Sequence, residues 1–455
     1  MTGTLMVGVS GVRGIVDRDL TPEVVTRWAA AFGTWVREAG RPSVIVGRDS
    51  RKSGPRFTAA VIAGLGGAGC RVIDVGLAPT PTIQLAVLHH GAGGGIAITA
   101  SHNPIEWNAL KFIGPDGIFL DGANSARVLD LAAREGRGTG EGGRVEKDPG
   151  AIERHLAGVL ALPIVRVERI RARKFTVALD AVRGAGGPIM GTLLERLGCS
   201  VTGINLETDG DFPRAPEPVP EHLGDLGALV RRSGADLGIA VDPDVDRLAI
   251  VDEGGTPIGE DYTLGFAVRA VLGKGDGGRG KGATVVCNLS TSLVVDDAAR
   301  EYGADVVRTP VGEAHVARKM EELGAPIGGE GNGGVIYPAL HAGRDAPVAA
   351  ALVLELLAGS GRRVSEQVAA APRYTIVKAK VPRGAELGPV YAALKQRFPD
   401  ARADEQDGLR LGWRDRWLHV RPSNTEPIIR LIAEAPAPEL ARQLVEEGRR
   451  LCAVS

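Results

Sequence analysis

The chain has 455 residues, 44% of them hydrophobic, with 54 Lys and Arg against 55 Asp and Glu and a formal net charge of −1. That length exceeds what one hydrophobic core supports, so several domains are expected. Acids and bases are interspersed, which excludes a global basic field for nucleic acid or an anionic membrane. No apolar run approaches a membrane span, the first residues lack a signal-peptide pattern, and Cys70, Cys199, Cys287 and Cys452 stand singly. These features predict a cytoplasmic protein with reduced thiols.

Short β-branched or apolar runs alternate with longer amphipathic ones, the pattern of α/β units around mostly parallel sheets. A first domain over residues 1–149 has strands at Ser43 to Val46, Arg71 to Val75 and Gly95 to Ile98, and ends in a Gly- and charge-rich linker from Glu135 to Gly150. After Ile98 comes Thr99-Ala100-Ser101-His102-Asn103-Pro104, which sets a hydroxyl at a strand end where it can carry a phosphoryl group. Taken alone, the same string is also an ordinary Ser/Asn/Pro turn.

A second domain over 150–253 has strands at Lys174 to Asp180 and Leu237 to Val241, the latter running into Asp242-Pro243-Asp244-Val245-Asp246-Arg247. Extended residues at i, i+2 and i+4 share a face, and Pro243 keeps Asp242 extended, so three carboxylates converge. Their mutual repulsion calls for a hard divalent cation, and an open all-oxygen site suits Mg²⁺ bridging to a phosphate. With Glu253 the spacing mimics an EF-hand loop. Arg247 stands where that loop needs glycine, however, and Leu237 to Val241 and Leu248 to Val251 read as flanking strands.

The third domain, 254–370, has strands at Thr284 to Leu289, Val306 to Thr309 and Val335 to Tyr337. Gly275 to Lys281 fits a P-loop until Gly282 replaces the Ser/Thr, and it precedes a strand, so it reads as a mobile loop. Gly328-Gly329-Glu330-Gly331-Asn332-Gly333-Gly334 lets backbone approach a ligand, with Glu330 and Asn332 suited to sugar hydroxyls. In the last domain, 371–455, Tyr374 to Val381, Leu409 to Arg414 and Trp417 to Val420 are extended and Pro438 to Arg450 helical. That strand-helix-strand-strand-helix order predicts a smaller α+β unit. Its Arg421-Pro422-Ser423-Asn424-Thr425-Glu426-Pro427, ahead of the strand-like Ile428 to Ile432, offers a guanidinium, hydroxyls and an amide as a dianion cradle.

In this order the four loops resemble those of the alpha-D-phosphohexomutase superfamily, the phosphoglucomutases, phosphomannomutases and phosphoglucosamine mutases. Ser10 to Gly14, Gly47 to Arg51 and Phe212 to Pro218 add to the resemblance. There are departures. Asn108-Ala109-Leu110-Lys111 stands for the frequent Asn-Gly-x-Lys, Asp-Pro-Asp-Val-Asp for Asp-Gly-Asp-Gly-Asp or Asp-Pro-Asp-Ala-Asp, and Glu-Gly-Asn-Gly-Gly for the Glu-Met-Ser-Gly-His of dual-specificity members.

The resemblance implies three similar α/β domains with mixed sheets and a smaller C-terminal α+β domain around a central cleft. It implies an intramolecular phosphotransferase, an isomerase, that interconverts hexose 6-phosphate and hexose 1-phosphate. Ser101 would carry the phosphoryl group at Mg²⁺ held by Asp242, Asp244 and Asp246, with a hexose 1,6-bisphosphate as intermediate and activator. Lys111 and Arg13 become candidates for acid/base chemistry and transition-state charge, Arg247 for steadying the serine phosphate, and His102 for a structural or phosphate-donor role. Glu330, Asn332 and His315 would face the sugar, and Arg421, Ser423, Asn424, Thr425 and Arg430 the distal phosphate.

The expected partner is a small-molecule sugar phosphate, with no nucleic acid or membrane, and the expected assembly a monomer or homodimer. The Gly-Gly-Glu-Gly-Asn-Gly-Gly-Val-Ile string is similar to the loop of archaeal members assigned as phosphoglucosamine mutases, so glucosamine phosphate is the expected substrate. A phosphomannomutase/phosphoglucomutase, a sugar-phosphate phosphatase and a non-catalytic sugar-phosphate-binding regulator stand as alternatives.

Overall fold

The computed structural model describes residues 5–8, 11–134, 143–273, 280–382, 384, 386–423 and 428–454. Ser10, most of the Gly275 to Lys281 loop, and Asn424 and Thr425 of the anion loop lie outside the described residues. Among the described residues the strands form four sheets.

The first sheet runs, edge to edge, Met6–Gly8, Gly11–Ile15, Trp107–Ile113, Gly94–Ile98, Ser43–Arg48, Arg71–Leu77, Val145–Lys147. Gly94–Ile98, Ser43–Arg48 and Arg71–Leu77 are mutually parallel, and Trp107–Ile113 lies antiparallel to the first of them. Gly94–Ile98 is buried along its whole length, as a strand covered by helices on both faces must be. Trp28, Phe32 and Phe57 from helices Pro22–Glu38 and Gly54–Gly67 fill one face, and Ile83 and Val87 from helix Thr80–His90 fill the other.

Val145–Lys147 sits inside the stretch expected to be a linker, yet it pairs in parallel with Arg71–Leu77. A three-residue edge strand with both end residues exposed has no apolar alternation to reveal it. Residues 135–142 of that stretch lie outside the described residues.

The second sheet has the order Leu248–Val251, Leu237–Val241, Thr176–Asp180, Ser200–Ile204. The third runs Asp305–Thr309, Thr284–Asn288, Ile327–Glu330, Gly334–Tyr337, His341–Arg344. They share one core, in which helix Ala346–Ser360 is buried on nearly every side. A helix that is apolar all round belongs inside, and this one is capped by Asp345, whose side chain accepts from Val348 N at 2.9 Å.

The last sheet, Thr375–Pro382, Ile428–Ala435, Trp417–Pro422, Leu409–Gly412, Arg402–Asp404, is antiparallel throughout. Leu394 and Leu444 of helices Leu387–Arg397 and Pro438–Val454 pack with Leu409, Leu418 and Leu431 into a separate core. The unit holds more strands than the expected strand-helix-strand-strand-helix order, since Arg402–Asp404 is short, polar and mostly exposed. Buried Glu434 docks it on the third domain: its carboxylate accepts from Ser292 Oγ, from Leu293 N (2.8 Å) and from Trp417 Nε1 (2.6 Å). Ser292 is the N-cap of helix Leu293–Arg300, so a carboxylate there also meets the positive helix end.

Candidate active site

Strand Gly94–Ile98 delivers a loop that is fastened before it reaches Ser101. Thr99 Oγ1 donates to Asp49 Oδ2 (2.7 Å) and accepts from Ser101 N (2.9 Å). Ser101 takes φ +48°, a left-handed conformation that costs a non-glycine residue about 1–2 kcal/mol. Arg51 offsets this cost. Its Nη2 donates to the carbonyls of Ser101 and Asn103 (both 2.7 Å), its Nη1 to those of Pro104 (2.7 Å) and Trp107 (3.0 Å), and its Nε to Asp49 (3.1 Å). Sequence reading placed Arg51 within a matching motif but gave it no role. Ser101 is 2% exposed, and its Oγ donates to Asp242 Oδ2 at 2.9 Å.

The acidic loop is folded on itself: Asp242 Oδ1 accepts from the backbone N of Asp246 (3.1 Å) and Arg247 (3.2 Å). Val245, at its centre, has φ +62°. Asp244 Oδ2 accepts from Thr80 Oγ1 and Lys111 Nζ, both at 2.7 Å. Asp246 Oδ2 accepts from Arg344 Nη2 at 2.6 Å and lies 3.5 Å from Lys111 Nζ. The three Asp side chains each offer an oxygen within 4.8 Å of the others. Oδ1 of Asp244 and of Asp246 are buried without a hydrogen-bond partner. Hard oxygen donors, close together and still unsatisfied, fit a divalent cation of the Mg²⁺ class.

The electrostatics follow from that crowding. Burial, with Asp244 and Asp246 alongside, pushes the Asp242 carboxyl well above the usual carboxylate range. Asp244 is as buried, but Lys111 and hydrogen bonds, Thr80's among them, hold it well below that range. Burial works against the Lys111 ammonium, yet Asp244 and Asp246 win and raise it above the ordinary lysine value. Asp244 and Asp246 therefore hold Lys111 as a cation in this arrangement.

Burial lowers Arg13 to about 10, still charged near neutrality, and its Nη1 donates to Asn103 Oδ1. Burial and the guanidinium groups of Arg247, Arg13 and Arg344 push His102 well below the usual imidazole value, and its Nδ1 has no hydrogen-bond partner. Arg247 Nη1 donates to Glu217 at 3.2 Å.

Glu330 ends strand Ile327–Glu330 and is 3% exposed. Its Oε1 accepts from Asn288 Nδ2 (2.8 Å) and Gly312 N (3.0 Å), and its Oε2 from Arg344 Nη1 (2.7 Å). Burial alone would raise this carboxyl, but Arg344 and Asn288 keep it below the ordinary value and ionised. Asn332 is half-buried and accepts from Gly334 N at 3.2 Å within its own turn. A Cβ on Gly331 would stand 2.1 Å from Asp261 Oδ1, so this position admits no side chain as built.

His315 is exposed on the first turn of helix Glu313–Leu323. The inward residue of that turn is Glu313, which accepts from Gln84 Nε2 (3.1 Å) and Arg344 Nε (3.0 Å). Arg344 was not predicted, and Glu313 was given no role of its own, because nothing local in the sequence distinguishes either side chain.

Arg421 is buried, lies opposite Arg430 across the antiparallel pair, and has Nε 2.9 Å from Asp407 Oδ2. Its Nη2 is buried without a hydrogen-bond partner. Ser423 is buried, and its Oγ accepts from Arg430 Nε at 3.3 Å. Asp407 Oδ2 also accepts from Val311 N (3.1 Å), which ties this anion loop to the segment leading to Gly312 and Glu330. Serine loop, acidic loop, sugar loop and the described part of the anion loop are thus joined by direct contacts from one to the next.

Comparison with known proteins agrees with this geometry along the whole chain. Residues 4–137, 153–255 and 259–374 match the phosphoglucomutase/phosphomannomutase alpha/beta/alpha domains I, II and III, and residues 376–451 match the C-terminal domain of the same family. The chain belongs to the phosphoglucomutase/phosphomannomutase family. Members of this family are mutases, and so isomerases.

The chain is 40% identical over 452 residues to a Thermococcus kodakarensis protein named "Phosphoglucomutase/phosphomannomutase", covering 98% of this chain and 97% of that one. It is 39% identical over 448 residues to a Methanopyrus kandleri protein named "Probable phosphoglucosamine mutase", covering 97% and 96%. Among solved structures, a Burkholderia thailandensis phosphoglucomutase/phosphomannomutase family protein superposes with a TM-score of 0.85 at 28% identity, covering 100% of this chain and 98% of that one. Among the described residues no helix is long and apolar enough to cross a membrane.

Proposed function

We propose that this phosphohexomutase interconverts hexose 6-phosphate and hexose 1-phosphate through a phosphoserine at Ser101, with glucosamine phosphate as its preferred substrate. The observation that carries the reading is the buried 2.9 Å hydrogen bond from Ser101 Oγ to Asp242, at a triad in which Oδ1 of Asp244 and Oδ1 of Asp246 have no hydrogen-bond partner. When bound at Asp242, Asp244 and Asp246, Mg²⁺ offsets charge on the transferring phosphoryl group.

The chain's own residues do the rest. The Oγ to phosphorus bond at Ser101 breaks as a bond forms from phosphorus to a sugar hydroxyl oxygen, giving a 1,6-bisphosphate. Lys111, an ammonium between Asp244 and Asp246, supplies positive charge, as do Arg13 and Arg247. The hydroxyl proton passes to an oxygen of the phosphoryl group being transferred, and His102, a neutral imidazole on the serine loop whose Nδ1 has no hydrogen-bond partner, is placed for a hydrogen bond to that group. After the bisphosphate reorients, its other phosphoryl group returns to Ser101. Arg421, Ser423 and Arg430, with Asn424 and Thr425, hold the distal phosphate in either orientation.

Glu330 is ionised and anchored on both oxygens, with two donors on Oε1 and one on Oε2, so the one lone pair left on Oε2 accepts from a sugar hydroxyl or a 2-ammonium, with Asn332 beside it. The name of the Methanopyrus relative supports glucosamine phosphate, and that of the Thermococcus relative favours a second reading, dual action on glucose and mannose phosphates. We place the enzyme in the cytoplasm, acting on small sugar phosphates.

The test is kcat/KM for glucosamine, glucose and mannose phosphates with catalytic 1,6-bisphosphate. Isomeric phosphate without free phosphate identifies a mutase and rules out a phosphatase or a passive binder. A preference of about tenfold or more, roughly 1.4 kcal/mol, for glucose or mannose transfers the assignment to the dual reading.

A further inference from the structure

Arg344 closes strand His341–Arg344, and its guanidinium is buried among carboxylates from three separate segments. It donates from Nη2 to Asp246 Oδ2 (2.6 Å), from Nη1 to Glu330 Oε2 (2.7 Å) and from Nε to Glu313 Oε2 (3.0 Å). Asp246 belongs to the acidic triad and Glu330 to the sugar loop. Glu313 is in turn fixed by Gln84, on helix Thr80–His90, whose first residue Thr80 holds Asp244.

The path of the Arg344 side chain is built into the sugar loop. A Cβ on Gly334 would stand 2.2 Å from Arg344 Cδ, and Gly334 is the cross-strand partner of Glu330. A planar fork fixes the separation and tilt of two carboxylates at once, which a lysine ammonium cannot do. With Oδ2 of Asp246 held by Arg344, its buried Oδ1, which has no hydrogen bond and only Arg247 Nε at 3.7 Å, is the oxygen left for a cation.

We propose that Arg344 is a positioning residue that sets the cation-binding carboxylate Asp246 and the sugar-binding carboxylate Glu330 together, so that affinity for both ligands depends on this one side chain. The proposal rests on reading the site as a divalent-cation and sugar-phosphate site. Removing an outer-shell partner of this kind costs a metal site about 10–100-fold in affinity.

The test uses the full-length protein, with Mn²⁺ titrated in the absence of sugar by electron paramagnetic resonance and glucose 1-phosphate titrated calorimetrically in chelator. Arg344→Lys and Gly334→Ala are each expected to weaken both ligands about tenfold or more, whereas Asn332→Ala weakens glucose 1-phosphate alone. Gly334→Ala removes no charge, and its Cβ would press on Arg344 Cδ (2.2 Å) and, less closely, on Asn332 Oδ1 (3.0 Å), so its Mn²⁺ affinity decides the matter if Arg344→Lys fails to fold. Mn²⁺ affinity within twofold of wild type in both variants, or loss of only one ligand, overturns the proposal. A wild-type protein that binds neither probe overturns the reading of the site as well.

Discussion

Arg51 Nη2 donates to the carbonyl oxygen of Ser101 at 2.7 Å, one of four carbonyl contacts by which this guanidinium holds the serine loop. Burial lowers the Arg51 pKa, and Asp49, itself buried, is its charge partner at 3.1 Å. Arg51→Ala leaves those carbonyls and the Asp49 carboxylate without their donor, and breaking a buried pair from one side costs about 3–5 kcal/mol. Arg51→Lys restores the charge but not the fork. It is expected to recover most of the denaturant midpoint while turnover stays at least tenfold down. Turnover that recovers in step with stability would contradict a positioning role.

Val245 sets packing against strain. A β-branched residue at φ +62° costs about 1–2 kcal/mol relative to a relaxed backbone. Its side chain is fully buried in the shared core, worth about 1.5–3 kcal/mol, and glycine adds about 0.5–1 kcal/mol of unfolded-state entropy. Burial wins, so Val245→Gly should destabilise the fold by about 1–2 kcal/mol even though glycine suits the angle. An equilibrium unfolding curve shifted to higher denaturant would show that strain dominates.

The acidic loop was legible because alternate residues after a buried strand must share a face, whereas the string around Ser101 reads alone as a turn and stood out only through its resemblance, with the other three loops, to the family's motifs. Arg51, Glu313 and Arg344 were not. Arg344 meets Asp246 across 98 residues of sequence and Glu313 across 31, and no local period encodes such a meeting. The turn at Glu313 to His315 shows the same limit from the other side, since a histidine drew notice while the helix turns the carboxylate inward. The left-handed φ of Val245 is invisible in a residue type that rarely adopts it.

His419 joins the C-terminal domain to the third domain, its Nε2 donating to the Asp407 carbonyl (2.7 Å) and its Nδ1 accepting from Ser290 Oγ (2.8 Å). Burial, with Arg421 and Arg410 nearby, lowers it to about 4 in spite of the Asp407 hydrogen bond. An unfolded histidine titrates near 6.5, so between about pH 6.5 and 4 the unfolded chain takes up a proton that the native imidazole refuses. Stability therefore falls as pH drops through that window, by up to about 3 kcal/mol at pH 4, and the loss levels off below it. His419→Gln should flatten the unfolding free energy over this range by that amount. Parallel pH profiles for wild type and variant would contradict the assignment.

Gly331 has no room to grow. Asp261 Oδ1, which a new Cβ would meet at 2.1 Å, is itself engaged by Ser292 N at 2.9 Å and cannot simply swing aside. Overpacking of this kind costs about 1–3 kcal/mol. Gly331→Ala is expected to lower the melting temperature and to raise KM for the sugar phosphate through displacement of the adjacent Glu330. An unchanged KM at full stability would mean that the loop relaxes freely.

In the proposed mechanism Ser101 carries and transfers the phosphoryl group. Intact-mass and peptide-level mass spectrometry, after incubation with hexose 1,6-bisphosphate and Mg²⁺ and again after a chase with hexose 6-phosphate, is the measurement that decides it. The expected result is one phosphoryl group on the peptide containing Ser101, transferred to the sugar phosphate in the chase, and turnover lowered by several orders of magnitude in Ser101→Ala with the fold intact. A Ser101→Ala protein that still interconverts the two hexose phosphates, or a stable phosphoryl group on any other residue, would contradict it.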